Sequence, residues 1–391
     1  MDRPIVDHRG PEFANLTLEI LPPLREVFGT ATGSIVIYPT SGTGAWEAAL
    51  VNVLAPGDRV LAFNYGHFSN LFAQAARRLG FRVDEVELGW GQALSAEVVE
   101  ERLRADDRTA PYKAVLALHN ETSTGVTSSV SSIRRAIDAA GHDALLIVDA
   151  VSSLASVDFQ FDAWRVDVAL AGSQKGLMLP PGVGVLCVGP RAIASAAGGG
   201  SPRSFFDWRP ILVDNAAGFF PYTPATLLLF GLREALKMLV VEEGLPNVFA
   251  RHQYLASGVR AAIEAWDLRL LCEFSANYSN TVSALVMPQD VDSGRVIAYA
   301  RDHFGLALGV GLGRLKGKVL RIGHLGALNE LEVLATLGGL ELALKGCGVP
   351  VQLGSGVAAC QEVFALRQEQ GTRLEQSGSQ VTGGQEQKGI Q

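Results

Sequence analysis

Residues 166–176 read Val-Asp-Val-Ala-Leu-Ala-Gly-Ser-Gln-Lys-Gly, a mostly apolar run that ends in a polar loop containing Lys175. A second apolar run, Ala144 to Val148, ends at Asp149. Short apolar runs that stop at polar loops are typical of strands buried on both faces of a parallel sheet. The carboxyl ends of such strands face the ligand crevice, so we expect Asp149 and Lys175 to meet at one edge of the sheet.

Around this stretch the chain alternates short apolar runs with helical periodicity, which is the pattern of an α/β fold. The alternation runs from about residue 35 to residue 190, and we assign residues 31–244 to one large domain with a doubly wound, mostly parallel sheet. Further strands are predicted at 35–38, 59–63, 114–118 and 183–188, and helices at 45–54, 69–79, 96–104 and 130–140.

The rest of the chain is expected to add three smaller parts. A smaller C-terminal domain of mixed α+β structure is predicted at residues 245–360, after a helical stretch from Leu227 to Glu243. Residues 1–30 are expected to form an N-terminal arm. The segment 361–391 is rich in Gln, Glu, Ser, Thr and Gly, a composition that predicts disorder.

The composition argues against several classes of function. The 391 residues are 48% hydrophobic and 19% charged, as in globular proteins with a sizeable core. A net charge of -7 without a basic cluster argues against nucleic acid or a membrane surface as a partner, and no apolar run could span a bilayer. The four cysteines and seven histidines do not cluster, so we predict no metal site. Small metabolites as partners and a cytoplasmic location are expected.

Asp149 and Lys175 together suggest a site for pyridoxal 5′-phosphate (PLP). A carboxylate at the end of an apolar strand needs a positive partner, because burying it unpaired costs on the order of several kcal/mol. A protonated pyridine nitrogen would meet that need and make the ring an electron sink. A lysine bound covalently to the cofactor is kept ready as a base. Taken singly, Asp149 would more often be a capping residue and Lys175 a solvated lysine.

The loop Thr40 to Gly44 lies between a predicted strand and a predicted helix. Backbone amides at the start of a helix have no helical partner and attract anions, so a phosphate fits there. The alternative is a simple helix cap. The loop matches neither a Walker A motif nor a complete dinucleotide fingerprint, so it does not select nucleotides.

Three further side chains are candidates for the same crevice. Thr122 follows the predicted strand at 114–118 and would hydrogen-bond a cofactor oxygen. Phe68 would stack on a flat ring, although a core aromatic residue is the more usual outcome. Arg321 has apolar neighbours and no acidic residue nearby in sequence, which suits bidentate binding of a substrate carboxylate. Bonding of Arg321 to backbone carbonyls is the alternative.

The order of these motifs resembles that of the class V, fold type I aminotransferases, specifically the serine-glyoxylate and alanine-glyoxylate branch. The resemblance runs from Asp7 to about Ala359 and implies the fold type I architecture of PLP-dependent transferases. The motifs that carry it are Ser41-Gly42-Thr43-Gly44-Ala45-Trp46-Glu47-Ala48, His119-Asn120-Glu121-Thr122-Ser123-Thr124-Gly125-Val126, Asp149-Ala150-Val151-Ser152-Ser153, Gly172-Ser173-Gln174-Lys175-Gly176 and Arg321-Ile322-Gly323-His324-Leu325-Gly326.

The resemblance implies a role for each matching residue. Lys175 would bind the cofactor covalently, Asp149 would pair with the pyridine nitrogen, and Arg321 would bind the α-carboxylate of the substrate. In a homodimer with active sites at the interface, His8 and Arg9 would help to shape the partner's substrate pocket. The remaining cofactor-binding residues would be Ser41, Gly42, Thr43 and Gln174 at the phosphate, Thr223 at the phosphate of the partner subunit, Thr122 at the ring hydroxyl, and Val151 and Phe68 on the two ring faces.

The implied activity is transfer of the amino group of L-serine, or of L-alanine, to glyoxylate, which gives hydroxypyruvate and glycine. Aspartate as the donor stays open, as do a lyase or desulfurase activity. From another class, a non-catalytic PLP-binding protein with an impaired site is the alternative. The family usually carries a further segment with a Gly-Pro motif before Asp7, and without it the site is expected to be more open. The common motif Asp-Gly-Val-Ser-Ser occurs here with Ala150 at its second position, a change that should not disturb binding.

Overall fold

The computed structural model describes residues 4–198 and 200–366. Its larger sheet has seven strands, its smaller sheet has four, and a separate two-stranded hairpin lies between strands of the larger sheet in sequence. In chain order the first nine strands are β1 (Ser34–Tyr38), β2 (Arg59–Asn64), β3 (Arg82–Glu87), β4 (Tyr112–Leu118), the hairpin strands β5 (Asn120–Glu121) and β6 (Val126–Thr127), β7 (Leu145–Asp149), β8 (Val168–Gly172) and β9 (Gly184–Val188).

The large sheet has the strand order β1-β9-β8-β7-β4-β2-β3. β9 pairs antiparallel with both β1 and β8, and the other neighbouring pairs are parallel. The predicted α/β fold with a mostly parallel sheet is therefore confirmed. Six strands end at one side of the sheet, which we call the carboxyl edge; the side where they begin is the amino edge.

Helices cover the sheet, and several begin at short polar side chains that accept a hydrogen bond from the first turn, as helix caps do. Ser95, Ser129, Asp207 and Asp292 cap helices in this way, and Asn329 forms a reciprocal capping box with Glu332. The helices are α1 (Pro11–Phe28), α2 (Gly42–Val53), α3 (His67–Arg78), α4 (Ala96–Arg104), α5 (Val130–Ala139), α6 (Pro190–Ala197), α7 (Trp208–Asn215), α8 (Thr226–Leu236) continued by a π-helical turn (Lys237–Glu243), α9 (Leu245–Ala265), α10 (Ser293–Phe304) and α11 (Glu330–Gly346).

α1 lies within the segment expected to form an arm. Its apolar face, with Phe13, Ile20 and Leu24 fully buried, belongs to the core of the large sheet. The helix ends at Gly29, which has a positive φ of 64°. This packing ties the start of the chain to the large sheet.

The smaller sheet has a core of its own, built with α9, α10 and α11 and including Leu320 and Leu337. A final helix over 355–366 adds Phe364 to this core, and the part of the expected disordered tail beyond residue 366 lies outside the described residues. No helix among the described residues is long and apolar enough to cross a membrane. The strands of the smaller sheet, in the order β10-β11-β13-β12, are β10 (Arg269–Leu270), β11 (Val282–Val286), β12 (Gly309–Val310) and β13 (Val319–Gly323).

Candidate active site

A cavity of about 280 Å³ opens at the carboxyl edge of the large sheet. Its walls come from the loops and helix starts that follow β1, β2, β4, β7 and β8. The structure brings nine of the predicted residues together there. The lining residues are Ser41, Gly42, Thr43, Trp46, Phe68, Leu118, Asn120, Thr122, Asp149, Val151, Gln174 and Lys175.

Asp149 ends β7 with its side chain in this cavity, and it is buried. The indole Nε1 of Trp46 donates a hydrogen bond to Oδ2 over 2.7 Å, and the amide of Val151 donates to Oδ1 over 2.7 Å. Burial raises the pKa of Asp149 to about 7, although both hydrogen bonds oppose the shift. No lysine, arginine or histidine in the described part of the chain forms an ion pair with it, so the carboxyl group has neutral partners and room for a cationic one.

Lys175 lies in the loop after β8 and lines the same cavity. Burial and the nearby charge of Arg321 lower the pKa of this amine, and Asp149 opposes the shift. A lysine with a lowered pKa is a better nucleophile and base near neutral pH than a solvated one. The structure therefore supports a chemical role for Lys175.

The start of α2 lines one end of the cavity, and this end suits an anion. Ser41 makes no side-chain capping bond, and the first backbone bond of this turn runs from the amide of Ala45 to the carbonyl of Ser41. The amides of Gly42 and Thr43 consequently have no helical partner. A Cβ at Gly42 would lie 2.8 Å from Cγ2 of Val151, so a larger residue here would force the start of α2 or Val151 to shift.

Three of the residues that line the cavity suit an aromatic ring with a polar substituent. Phe68 and Val151 are half-buried and line the cavity, as does Thr122. The hydroxyl of Thr122 donates to Oγ of Ser152 over 2.7 Å, and Nδ2 of Asn120 donates to the same oxygen over 2.8 Å. The lone pairs of Thr122 Oγ1 are thus left for a polar group in the cavity.

Arg321 on β13 of the smaller sheet contacts Thr122, one of the residues that line the cavity. Its Nε donates to the carbonyl of Val310 over 3.0 Å, and its Nη1 donates to the carbonyl of Thr122 over 3.1 Å. Burial lowers the pKa of its guanidinium, and the charge of Glu121 opposes the shift. The bonds to backbone carbonyls agree with the alternative interpretation of Arg321, whose charge also acts on Lys175. Binding of a substrate carboxylate stays a prediction.

Like Arg321, three other predicted residues are not among those that line this cavity in their own chain. Thr223 and Arg9 are exposed, and His8 is half-buried just before α1. Roles in the site of a second subunit stay predictions for all three.

Three hydrogen-bonding residues at or beside the cavity were not assigned a role from the sequence. Trp46 holds Asp149, Asn120 holds Ser152, and Glu121 is a fully buried acid that accepts bonds from the start of α3. A signal was present for Trp46, because it lies four residues after Gly42 and so on the same face of α2.

The sequence and the fold were compared with those of known proteins. A family model described as aminotransferase class-V matches residues 6–313. Serine–glyoxylate aminotransferase of Methylorubrum extorquens is 49% identical over 358 residues, covering 90% of this chain and 89% of the relative. L-aspartate–glyoxylate aminotransferase of Paracoccus denitrificans is 44% identical over 364 residues, covering 93% of this chain and 91% of the relative.

A solved structure shows the same fold. The crystal structure of ureidoglycine-glyoxylate aminotransferase from Bacillus subtilis superposes with a TM-score of 0.86 at 29% identity, over 93% of both chains. These matches confirm the resemblance that the sequence motifs predicted. The chain belongs to the class-V aminotransferase family.

Proposed function

We propose that this protein is a PLP-dependent aminotransferase that transfers the amino group of L-serine to glyoxylate, giving hydroxypyruvate and glycine. The observation that carries the proposal is the buried Asp149, whose partners are two neutral N–H donors, in one cavity with Lys175. A protonated pyridine nitrogen is the cation that this carboxylate lacks. The free amides at the start of α2 would take the phosphate of the same molecule.

Each group of the cofactor has residues that fit it. Ser41, Gly42 and Thr43 would hold the phosphate together with Gln174. Thr122 would meet the ring hydroxyl, and Val151 and Phe68 would enclose the ring. When bound, PLP supplies an electron sink that stabilises negative charge at the substrate Cα atom.

The protein's own residues would then move the proton. Lys175 would hold the cofactor, and its amine, when free, would take the proton from the substrate Cα. Asp149 would keep the pyridine nitrogen protonated. Arg321 binds the α-carboxylate, and the carbonyls of Val310 and Thr122 fix the direction of its guanidinium.

Serine is the first candidate for the donor, because serine–glyoxylate aminotransferase of Methylorubrum extorquens is 49% identical to this chain. The similarity to L-aspartate–glyoxylate aminotransferase of Paracoccus denitrificans keeps aspartate as the second candidate. Alanine requires no side-chain contact and is expected as a slower donor.

A homodimer would complete the site. The loop before Thr223 packs against α1, since the rings of Phe13 and Phe220 lie 6.0 Å apart and a Cβ at Gly218 would lie 2.5 Å from the carbonyl oxygen of Ala14. Arg9, which lies two residues before the first residue of α1, is therefore expected on the same side of the subunit as Thr223. This placement suits joint contact with a partner's cavity.

The test combines cofactor binding with donor assays. Purified protein with added PLP should show the visible absorbance of lysine-bound cofactor and form glycine from glyoxylate, fastest with serine. Lys175→Ala should abolish that absorbance and lower turnover about 10⁴-fold. Lys113→Ala, at an exposed lysine of β4, should retain both. No absorbance change in the wild-type protein would refute PLP binding, and aspartate as the best donor would refute the assignment of serine.

A further inference from the structure

Glu121 is a fully buried acid beside the cavity that the proposed reaction does not use. Its side chain is 0% exposed, and within the described ranges it forms no ion pair. Oε2 accepts from the amide of Ser69 over 2.8 Å, and Oε1 accepts from the amide of Phe68 over 3.4 Å. Oε1 also accepts from the amide of Ser123 over 2.9 Å and from its hydroxyl over 2.6 Å.

These bonds fix the first turn of α3. The helix begins after Gly66, which has no side chain with which to cap it. The amide of His67 donates to Oγ of Ser123 over 2.9 Å, so Glu121 and Ser123 together take the first three amides of the helix. The partial positive charge of a helix start stabilises the carboxylate in return. A Cβ at Gly66 would lie 2.2 Å from Cγ of Glu121, so the acid packs directly on the helix backbone.

The first turn of α3 also carries Phe68, whose ring lines the cavity. The position of that ring thus depends on a carboxylate from a different part of the chain, the hairpin of β5 and β6. The same hairpin continues into Thr122, whose carbonyl accepts from Arg321. Glu121 therefore contacts the helix turn that carries Phe68 and directly precedes Thr122, to which Arg321 is bound.

We propose that Glu121 is a positioning residue that holds the ring of Phe68 against the cofactor. The inference rests on the proposed PLP-dependent function. Glu121→Gln preserves the size of the side chain but puts an NH₂ donor in place of a carboxylate oxygen. That NH₂ would face the amides at the helix start, and because two donors repel each other, the first turn of α3 should shift together with Phe68.

A double-mutant cycle tests the link between the two residues. Apoprotein carrying Glu121→Gln, Phe68→Ala or both is titrated with PLP, and the visible circular dichroism of the bound cofactor is recorded. Glu121→Gln alone should weaken PLP binding about tenfold and reduce the dichroic band. In the Phe68→Ala background the same change should alter binding less than about twofold, because the ring through which Glu121 acts is gone.

Glu341 supplies a matched control. Glu341 is a buried acid of α11 that accepts hydrogen bonds at the start of the helix over 355–366, from the amides of Gly354 over 2.8 Å and Gly356 over 2.6 Å. It lies beside the core of the smaller sheet, away from the cavity. Glu341→Gln should lower the thermal unfolding temperature and leave PLP affinity and dichroism unchanged. If Glu121→Gln does not fold, Ser123→Ala replaces it in the cycle, because it removes the bond to His67 and the hydroxyl bond to Glu121.

The outcomes separate this inference from the function on which it rests. Equal weakening of PLP binding in both backgrounds would show that Glu121 acts on the fold in general, and an unchanged affinity and dichroism would show that it does not act at all. Either result overturns the inference while the proposed function stands. Absence of PLP binding by the wild-type protein would overturn both.

Discussion

Asp149 at the carboxyl edge and Asp106 at the amino edge are both buried, but their partners differ. Oδ1 of Asp106 accepts from Nη1 of Arg59 over 2.7 Å, and Oδ2 accepts from Nε2 of His142 over 2.9 Å and from the amide of Tyr112 over 2.8 Å. Burial alone would raise the pKa of Asp106, but these three partners outweigh it and lower the pKa. The pKa of Asp149, which lacks such a cation, is raised to about 7.

The same contrast extends to the cavities at the two edges. An open cavity of about 560 Å³ at the amino edge is twice as large as the candidate site, but its three arginines pair with aspartates that line it too. Arg134 and Arg165 each bind Asp138 over 2.6 Å, and Arg191 binds Asp167 over 3.1 Å. The buried Asp149, which has no cationic partner, and not the size of the cavity, therefore distinguishes the candidate site from the cavity at the amino edge.

The largest expected difference between the two edges is in the effect of replacing Asp149 or Asp106 by asparagine on kcat. Asp149→Asn should lower kcat roughly 10³-fold, because the amide cannot keep the pyridine nitrogen protonated. Asp106→Asn should change kcat less than about twofold but lower the free energy of unfolding by about 3 kcal/mol, because it breaks a buried ion pair. Steady-state kinetics and denaturant unfolding of both variants measure the two effects. Similar effects of the two variants on kcat would contradict the contrast.

The raised pKa of Asp149 should also make the stability of the apoprotein depend on pH. Between the unfolded pKa of Asp149, 3.8, and its folded pKa of about 7, the folded apoprotein holds a proton that the unfolded chain releases. The resulting stabilisation is complete below about pH 4 and is lost as the pH rises through 7. Relative to Asp149→Asn, wild-type apoprotein should lose on the order of 3 kcal/mol of unfolding free energy between pH 5 and 8.

Urea unfolding of apoprotein at several pH values measures this loss. Asp158→Asn is a suitable control because Asp158 is exposed, and its curve should follow that of the wild-type protein. Parallel curves for wild type and Asp149→Asn would mean that Asp149 does not titrate in this range.

Arg321 extends the comparison to the substrate. Arg321→Lys keeps the charge but loses the planar pair of donors that binds a carboxylate. KM for serine should rise about 30-fold while kcat changes less than threefold, since the contact is made equally in the ground state and in the transition state. Arg314→Lys, at an exposed arginine that stacks on Trp90, should leave KM unchanged. A fall in kcat without a rise in KM would contradict binding of the carboxylate by Arg321.

The residues at the carboxyl edge can be predicted from the sequence, because the end of a buried strand is recognised from a short stretch of residues. Asp149 and Lys175 each follow a short apolar run, so a parallel sheet brings them together whatever the details of packing. The strand β3 was not predicted, because Arg82–Glu87, at the edge of the sheet, has only two apolar residues and no continuous apolar run. Trp46 and Glu121 were quoted in motifs but not assigned, since their partners lie far away in sequence and only the folded chain shows the bonds.

The smallest expected effect is that of Trp46→Phe on PLP affinity. Trp46→Phe keeps the stacking on Phe72, whose ring lies 5.2 Å away at 16°, and removes the N–H bond to Asp149. Because that bond lowers the pKa of Asp149, its loss raises the pKa, and a neutral Asp149 pairs poorly with a protonated pyridine. PLP affinity should fall about fivefold at pH 7, fall further at pH 6 and recover by pH 9. Trp266→Phe is the control: it removes a 2.8 Å bond to Glu341 in the core of the smaller sheet and should leave PLP affinity unchanged at each pH. If Trp46→Phe lowers PLP affinity equally at every pH, Trp46 acts by packing alone.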